Sequence, residues 1–173
     1  MEIINVIGDR SAQKNLRFIL VGGHAINLLG LSRQTGDIDL MIQNSDRDAW
    51  KDLLQDLGYT LANEQDAFCQ FEGPKIETWP IDLMCVSEST FERVLSQSTS
   101  FQIDRTDVKV PHPSIFIAMK LHAIKNNPTR EDKDFSDIIN LIKIHNIKAD
   151  DDFRQLCLKY GTVELYERIK SKT

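Results

Sequence analysis

The segment Thr35-Gly36-Asp37-Ile38-Asp39-Leu40-Met41-Ile42 restricts this chain more than any other stretch. In an extended strand successive side chains point to opposite faces, so Asp37 and Asp39 project together while Ile38, Leu40 and Ile42 fall on the other side. Two carboxylates on one surface are costly to keep ionised, because each raises the pKa of the other. A hard divalent cation such as Mg2+ takes oxygen ligands and relieves that repulsion. Taken alone, the triplet reads more readily as an ordinary solvated strand end, since Asp is common in turns and after Gly.

The preceding residues favour the metal reading. Arg17-Phe18-Ile19-Leu20-Val21 carries an apolar run that reads as a buried strand, interrupted by Gly22-Gly23, after which His24-Ala25-Ile26-Asn27-Leu28-Leu29 reads as the start of a helix. A strand that ends in Gly-Gly and opens into a helix lets the backbone approach a ligand and aims N–H groups at an anion. A third acid follows in Trp79-Pro80-Ile81-Asp82-Leu83-Met84-Cys85-Val86. Asp82 is the one charged residue of that apolar strand, on the face opposite Ile81, Leu83 and Cys85. It reads either as an edge-strand or helix-cap aspartate or, if the strands are adjacent, as a partner of Asp37 and Asp39.

Up to about residue 110 the signals are short strands and turns, at 59–61, 67–71 and 79–86, with a hairpin of 101–103 and 108–110, and helices at 46–57 and 88–96. After Pro111-His112-Pro113 the pattern turns helical. Ser114 is the expected cap of a helix to about residue 125, and Thr129, with Asp132 three residues on, that of a helix to about 145. Shorter helices are expected at 150–160, stopped by Gly161, and at 163–169. Lys133 and Asp137, four apart, are expected on one face of the second helix, and Ile138, Leu141 and Ile142 on the apolar stripe that packs on the sheet. Asp134 is open between an ion pair with Arg130, four residues earlier, and a site role. His112, His122 and His145 lack metal-ligand spacing and read as structural, whereas His24 adjoins the glycine turn.

The order Gly22-Gly23, Asp37-x-Asp39, then a lone Asp82 resembles the nucleotidyltransferase signature of the DNA polymerase beta superfamily. Lys120-x-x-Ala123, then Arg130, then Lys133-Asp134-x-x-Asp137-x-x-x-Leu141 is similar to the helical motif of its AbiEii-type minimal members. The matches span about residues 18 to 142, and several motifs in one order are more specific than any of them alone. Gly23 stands where many members of the superfamily carry Ser, and residues 126–129 lengthen the gap between the two helical motifs.

The resemblance implies an α+β (α/β) fold: a small mixed nucleotidyltransferase sheet flanked by helices over 1–111, with a C-terminal helical part over 112–173 packed on it. It implies Mg2+-dependent transfer of an NMP from an NTP to a hydroxyl acceptor, with two ions held by Asp37, Asp39 and Asp82 as catalytic residues. Gly22, Gly23, Arg33, Lys120, Lys133 and Asp134 would bind the nucleotide, since a triphosphate carries about four negative charges. The expected acceptor is a tRNA or a protein, in a toxin opposed by a cognate antitoxin. A small-molecule (antibiotic-type) nucleotidyltransferase and a non-catalytic binding module of the same fold are the alternatives.

Composition bears on partners and compartment. The 173 residues carry a net charge of -5, which argues against a broad basic surface for long nucleic acid and leaves room for a small RNA. Cys69, Cys85 and Cys157 are an odd number without C-x-x-C spacing, which indicates reduced thiols and no zinc site. No apolar stretch has the length of a membrane span and the N-terminus lacks a leader pattern, so a cytoplasmic protein is expected.

Overall fold

A computed structural model describes residues 2–173, apart from the side chain of Glu2. The chain divides into two compact units: the residues up to Leu28 with Ser32–Pro111, and Leu29–Leu31 with His112–Thr173.

The first unit is built on a five-stranded sheet of β1 (Ile19–Val21), β2 (Ile38–Gln43), β3 (Thr60–Gln65), β4 (Phe68–Glu72) and β5 (Ile81–Val86), in the spatial order β1-β2-β5-β4-β3. β2 and β5 run parallel, and β1, β4 and β3 are added antiparallel. The mixed sheet expected from the sequence is therefore present, and its parallel pair lies at the centre. Along β5 the alternation is plain: Ile81, Leu83 and Cys85 are buried, whereas Asp82, Met84 and Val86 are half-exposed. β2 is buried almost throughout, as a strand with neighbours on both sides must be, and its one break is Asp39.

Helices α1 (Glu2–Gln13), α2 (Gly22–Leu28), α3 (Arg47–Asp56) and α4 (Glu88–Ser96) complete this unit with the hairpin β6 (Ser98–Ile103) and β7 (Thr106–Pro111). The inner face is filled by Trp50, Leu53 and Leu54 of α3 and by Phe91 and Val94 of α4. Each such side chain contributes about 1.5–3 kcal/mol when fully buried. Ser87 caps α4 by accepting from the Thr90 N–H at 3.3 Å. α1 is an element that the sequence reading passes over. It packs on β7 through Ile4 and Ile7, and Gly8 permits the approach, since a Cβ there would lie 2.6 Å from Cγ2 of Thr106.

The second unit contains α5 (Pro113–Asn126), α6 (Glu131–Ile144), α7 (Asp151–Tyr160) and α8 (Val163–Lys170). α5 packs on both α6 and α7, and α7 on α8. Two of the expected caps differ. The cap of α5 is His112 in place of Ser114, because Pro113 takes the first helical position and the His112 Nδ1 accepts from the Ser114 N–H at 3.3 Å. Thr129 caps no helix: it lies in a 3-10 turn, Pro128–Arg130, that is itself capped by Asn127, and α6 starts only at Glu131. Asp150 and Thr162 cap α7 and α8 through the Phe153 and Leu165 N–H groups. Among the described residues no helix is long and apolar enough to cross a membrane.

Candidate active site

Asp39 of β2 and Asp82 of β5 occupy paired positions on the two parallel strands, so their side chains rise from the same face as neighbours. Asp37 lies just before β2 and joins them. One carboxylate oxygen from each of Asp37, Asp39 and Asp82 lies within 4.8 Å of the others, and all three residues are half-buried. The three acids expected to act together thus converge.

The charge they concentrate shows in their protonation. Burial pushes the Asp39 carboxyl up to about 6, assisted by the negative charges of Asp37 and Asp82, while a hydrogen bond from the Gly23 backbone N–H and the charge of Arg33 act the other way. Asp82 is raised too, first by burial and then by Asp37, with a hydrogen bond from Gln70 opposing. Three crowded oxygen donors with an unbalanced charge are the donor set that a hard divalent ion takes, so these residues fit Mg2+.

Each acid is held by its neighbours. Gly22 opens α2 at φ +64°, and a Cβ on it would fall 1.7 Å from Oδ2 of Asp39, so only glycine leaves that carboxylate its place. A Cβ on Gly23 would lie 2.4 Å from Oγ1 of Thr35. That hydroxyl donates to Oδ1 of Asp37 at 2.8 Å. The glycines are therefore the first two residues of α2, pressed against the acids, and a side chain at Gly23 would disturb the Thr35 to Asp37 bond. On the other side Gln70 of β4 stands opposite Asp82 and donates from Nε2 to Oδ2 at 3.2 Å, and Asn63 of β3 donates to Oε1 of Gln70 at 3.0 Å. Arg33 is half-buried in the turn between α2 and β2, its backbone N–H and C=O clamped by the Asn27 side chain at 2.7 and 2.9 Å.

Sequence reasoning missed Thr35, Gln70 and Asn63. Gln70 was findable in part: it is a polar residue between buried Cys69 and Phe71, which puts it on the open face, but nothing local shows that this face meets Asp82. His24, adjacent to the glycines, is buried and stacks on Trp79, with ring centroids 4.5 Å apart and planes at 21°. Burial holds its imidazole below the usual histidine range, with Asp37 opposing.

The other three candidates, Lys120, Lys133 and Asp134, belong to the second unit. The Lys120 Nζ lies 2.7 Å from Oδ1 of Asp134 and 2.7 Å from Oδ2 of Asp137, and Arg130 Nε donates to the other Asp134 oxygen at 2.9 Å. The ion pair weighed for Asp134 and Arg130 exists, and Lys120 shares it. Asp134 is 1% exposed, and although burial alone would raise its carboxyl, the hydrogen bonds and charges of Lys120 and Arg130 hold it below the usual range. Lys133 is exposed. Lys133 and Asp137 are four apart on α6, but the separation of Asp137 from the apolar stripe is corrected: Asp137 is buried, and with Asp134 it joins the stripe of Ile138, Leu141 and Ile142. The remaining histidines are structural here: His112 caps, His122 bonds Asn126, and His145 reaches the Leu29 carbonyl.

A family model described as "Nucleotidyl transferase AbiEii toxin, Type IV TA system" matches residues 9–172. No curated protein sequence matches the chain. Among solved structures the fold is similar to that of ANT(2")-Ia in complex with adenylyl-2"-tobramycin, at 17% identity and TM-score 0.67, over 99% of this chain and 97% of that one. It is also similar to the lincomycin-bound lincosamide antibiotic adenylyltransferase LnuA, at 14% identity and TM-score 0.60, over 82% and 95% of the two chains. An antigenic nucleotidyltransferase-like protein from Paracoccidioides brasiliensis matches at 18% identity and TM-score 0.58, over 83% and 75%.

Proposed function

The chain belongs to the AbiEii nucleotidyl transferase family and is a nucleotidyltransferase; on that premise we propose that it moves an NMP from an NTP to a hydroxyl of an RNA or protein, as the toxin of a toxin-antitoxin pair in the cytoplasm. The observation that carries the chemistry is the convergence of three carboxylates, Asp39 and Asp82 from paired positions of β2 and β5 and Asp37 from just before β2.

In this reading Asp37, Asp39 and Asp82 hold Mg2+. Bound there, the metal supplies Lewis acidity toward the phosphates and lowers the pKa of a coordinated hydroxyl. The acceptor hydroxyl approaches on the Asp82 side, and its oxygen forms a bond to the α-phosphorus while the bond from that phosphorus to the bridging oxygen breaks and pyrophosphate leaves. Asp82, on the side from which the hydroxyl approaches, is placed to take its proton. Gln70 keeps one Asp82 oxygen engaged and so orients the carboxylate. Gly22 and Gly23 would meet the phosphates at the start of α2, where the Gly23 N–H already serves Asp39, and Arg33, which also acts on Asp39, adds positive charge beside it. Lys120, Lys133 and Asp134 are carried as nucleotide-binding residues on the family motif.

Purified protein incubated with each labelled NTP, Mg2+ and total cellular RNA or protein is expected to label one macromolecular fraction. If wild type labels neither, and instead modifies a small hydroxylated compound, the second reading takes over. That reading is favoured by the aminoglycoside and lincosamide adenylyltransferases among the fold neighbours, one of which matches this chain over nearly the whole of both. Growth arrest on expression, relieved by the product of a neighbouring gene, supports the toxin; its absence counts against it.

A further inference from the structure

The residues just before β5 carry an aromatic ring that the proposed chemistry does not use. Trp79 is 37% exposed, and its ring is stacked on one side. One face lies against the buried imidazole of His24, so its exposure belongs to the opposite face and the rim. Its backbone carbonyl accepts from the Tyr59 hydroxyl at 3.2 Å. The next carbonyl, that of Pro80, accepts from the N–H of Ile38 at 2.9 Å, and Ile38 is the residue between Asp37 and Asp39. From the other direction, His24 follows two residues after Gly22, which abuts the Asp39 carboxylate. The indole is thus tied to the acids through both the start of β5 and the start of α2.

We propose that Trp79, backed by His24, is the platform on which the base of the nucleoside triphosphate stacks. The inference rests on the reading of the acids as the NTP site and assigns the part of the substrate that this reading leaves unplaced. In a nucleotide one ribose separates the α-phosphate from the base, which suits a ring seated one residue beyond the carbonyl that pairs with Ile38. The acceptor side is taken by Asp82, from which Gln70 and Asn63 lead away across β4 and β3; Trp79 lies on the α2 side. Stacking tolerates every base, because each has a π-face, and a ring already stacked on a buried imidazole has less freedom to lose on binding. His24 serves as a filler of the ring's back face: its Nε2 is buried and has no hydrogen-bond partner among the described residues, so its position is set by the ring contact and the packing around it.

The test uses the full chain and its own fluorescence. The two tryptophans differ sharply, since Trp50 is fully buried and Trp79 is exposed. Protein with Mg2+ is titrated separately with ATP, GTP, CTP and UTP, and with inorganic tripolyphosphate, which has the phosphates and no base; binding is read by calorimetry and emission in parallel. At least one NTP is expected to bind and change the emission, and tripolyphosphate to bind without changing it. Trp79→Ala should weaken that NTP by about tenfold or more and leave tripolyphosphate unchanged, whereas Trp79→Phe should keep NTP affinity within about threefold. An NTP bound as tightly by Trp79→Ala as by wild type overturns the platform and leaves the acid site standing. If wild type binds neither NTP nor tripolyphosphate, the nucleotide site itself falls and the platform with it.

Discussion

Asp39 sits between two other carboxylates with Gly22 against one of its oxygens, and both constraints have measurable consequences. Its carboxyl is raised from 3.8 to about 6, so in metal-free protein its contribution to stability is full below the unfolded value and is lost as the pH rises through about 6. Asp39→Asn removes that loss. The variant is expected to melt no lower than wild type at neutral pH without metal, and to incorporate no labelled NMP; full activity would remove Asp39 from the chemistry. Gly22→Ala forces both a left-handed backbone on a residue with a Cβ and a contact with Oδ2 of Asp39. A loss of about 2 kcal/mol or more in denaturant unfolding is expected, with metal affinity falling as Asp39 is displaced. At this scale the sequence announced the acids, because their chemistry is written in residue type and alternation. It was silent on Thr35, Gln70 and Trp79, whose roles come from what they touch: nothing in Phe68-Cys69-Gln70-Phe71 says that a strand ten residues on presents Asp82 to Gln70.

The helices of the second unit show how an element can carry a motif and a structural duty together. α5 and α6 are pinned to each other by Lys120, whose Nζ bridges Asp134 and Asp137 in a largely buried setting. Breaking such a pair strands a buried charge, so Lys120→Ala is expected to lower the stability of this unit by about 3–5 kcal/mol in denaturant unfolding. Because the Asp134 carboxyl is held below its ordinary value, its contribution is present above the unfolded value of 3.8 and is lost as the pH falls through the lower folded one. A fall in activity of Lys120→Ala would therefore be ambiguous, and Lys133 is the better probe of nucleotide binding. Lys133→Ala is exposed and should change stability by no more than about 0.5 kcal/mol, so weaker NTP binding in that variant would support the family motif and unchanged binding would count against Lys133. Helix periodicity placed α5 to α8 within a few residues. The caps were less readable: a Pro after His112 moved the start of α5, and the Asn127 turn delayed α6, both through local backbone geometry. α1 went unread because a segment with a glycine at its middle packs against Thr106 and β7, far along the chain.

For the whole chain, what the sequence withheld was adjacency. Alternation assigns a face to Asp39 and to Asp82, but the parallel pairing of β2 with β5 skips two intervening strands, and only the order β1-β2-β5-β4-β3 makes the acids neighbours. A metal that couples them therefore couples residues distant in sequence and should stabilise the folded first unit against the unfolded chain, in which no such site exists. The effect has a direction in pH. Above about 6 Asp39 is ionised and the carboxylates repel, so Mg2+ has most to neutralise; near the unfolded value of 3.8 protons occupy the site instead. Thermal unfolding followed with and without Mg2+ should show a rise in midpoint at about pH 8 that shrinks at about pH 5 and is lost in Asp39→Asn. Since the three acids all lie in the first unit, any separate transition of the helical unit should be unmoved by the metal. A shift of equal size at both pH values, or one that survives in Asp39→Asn, would mean that Mg2+ binds elsewhere.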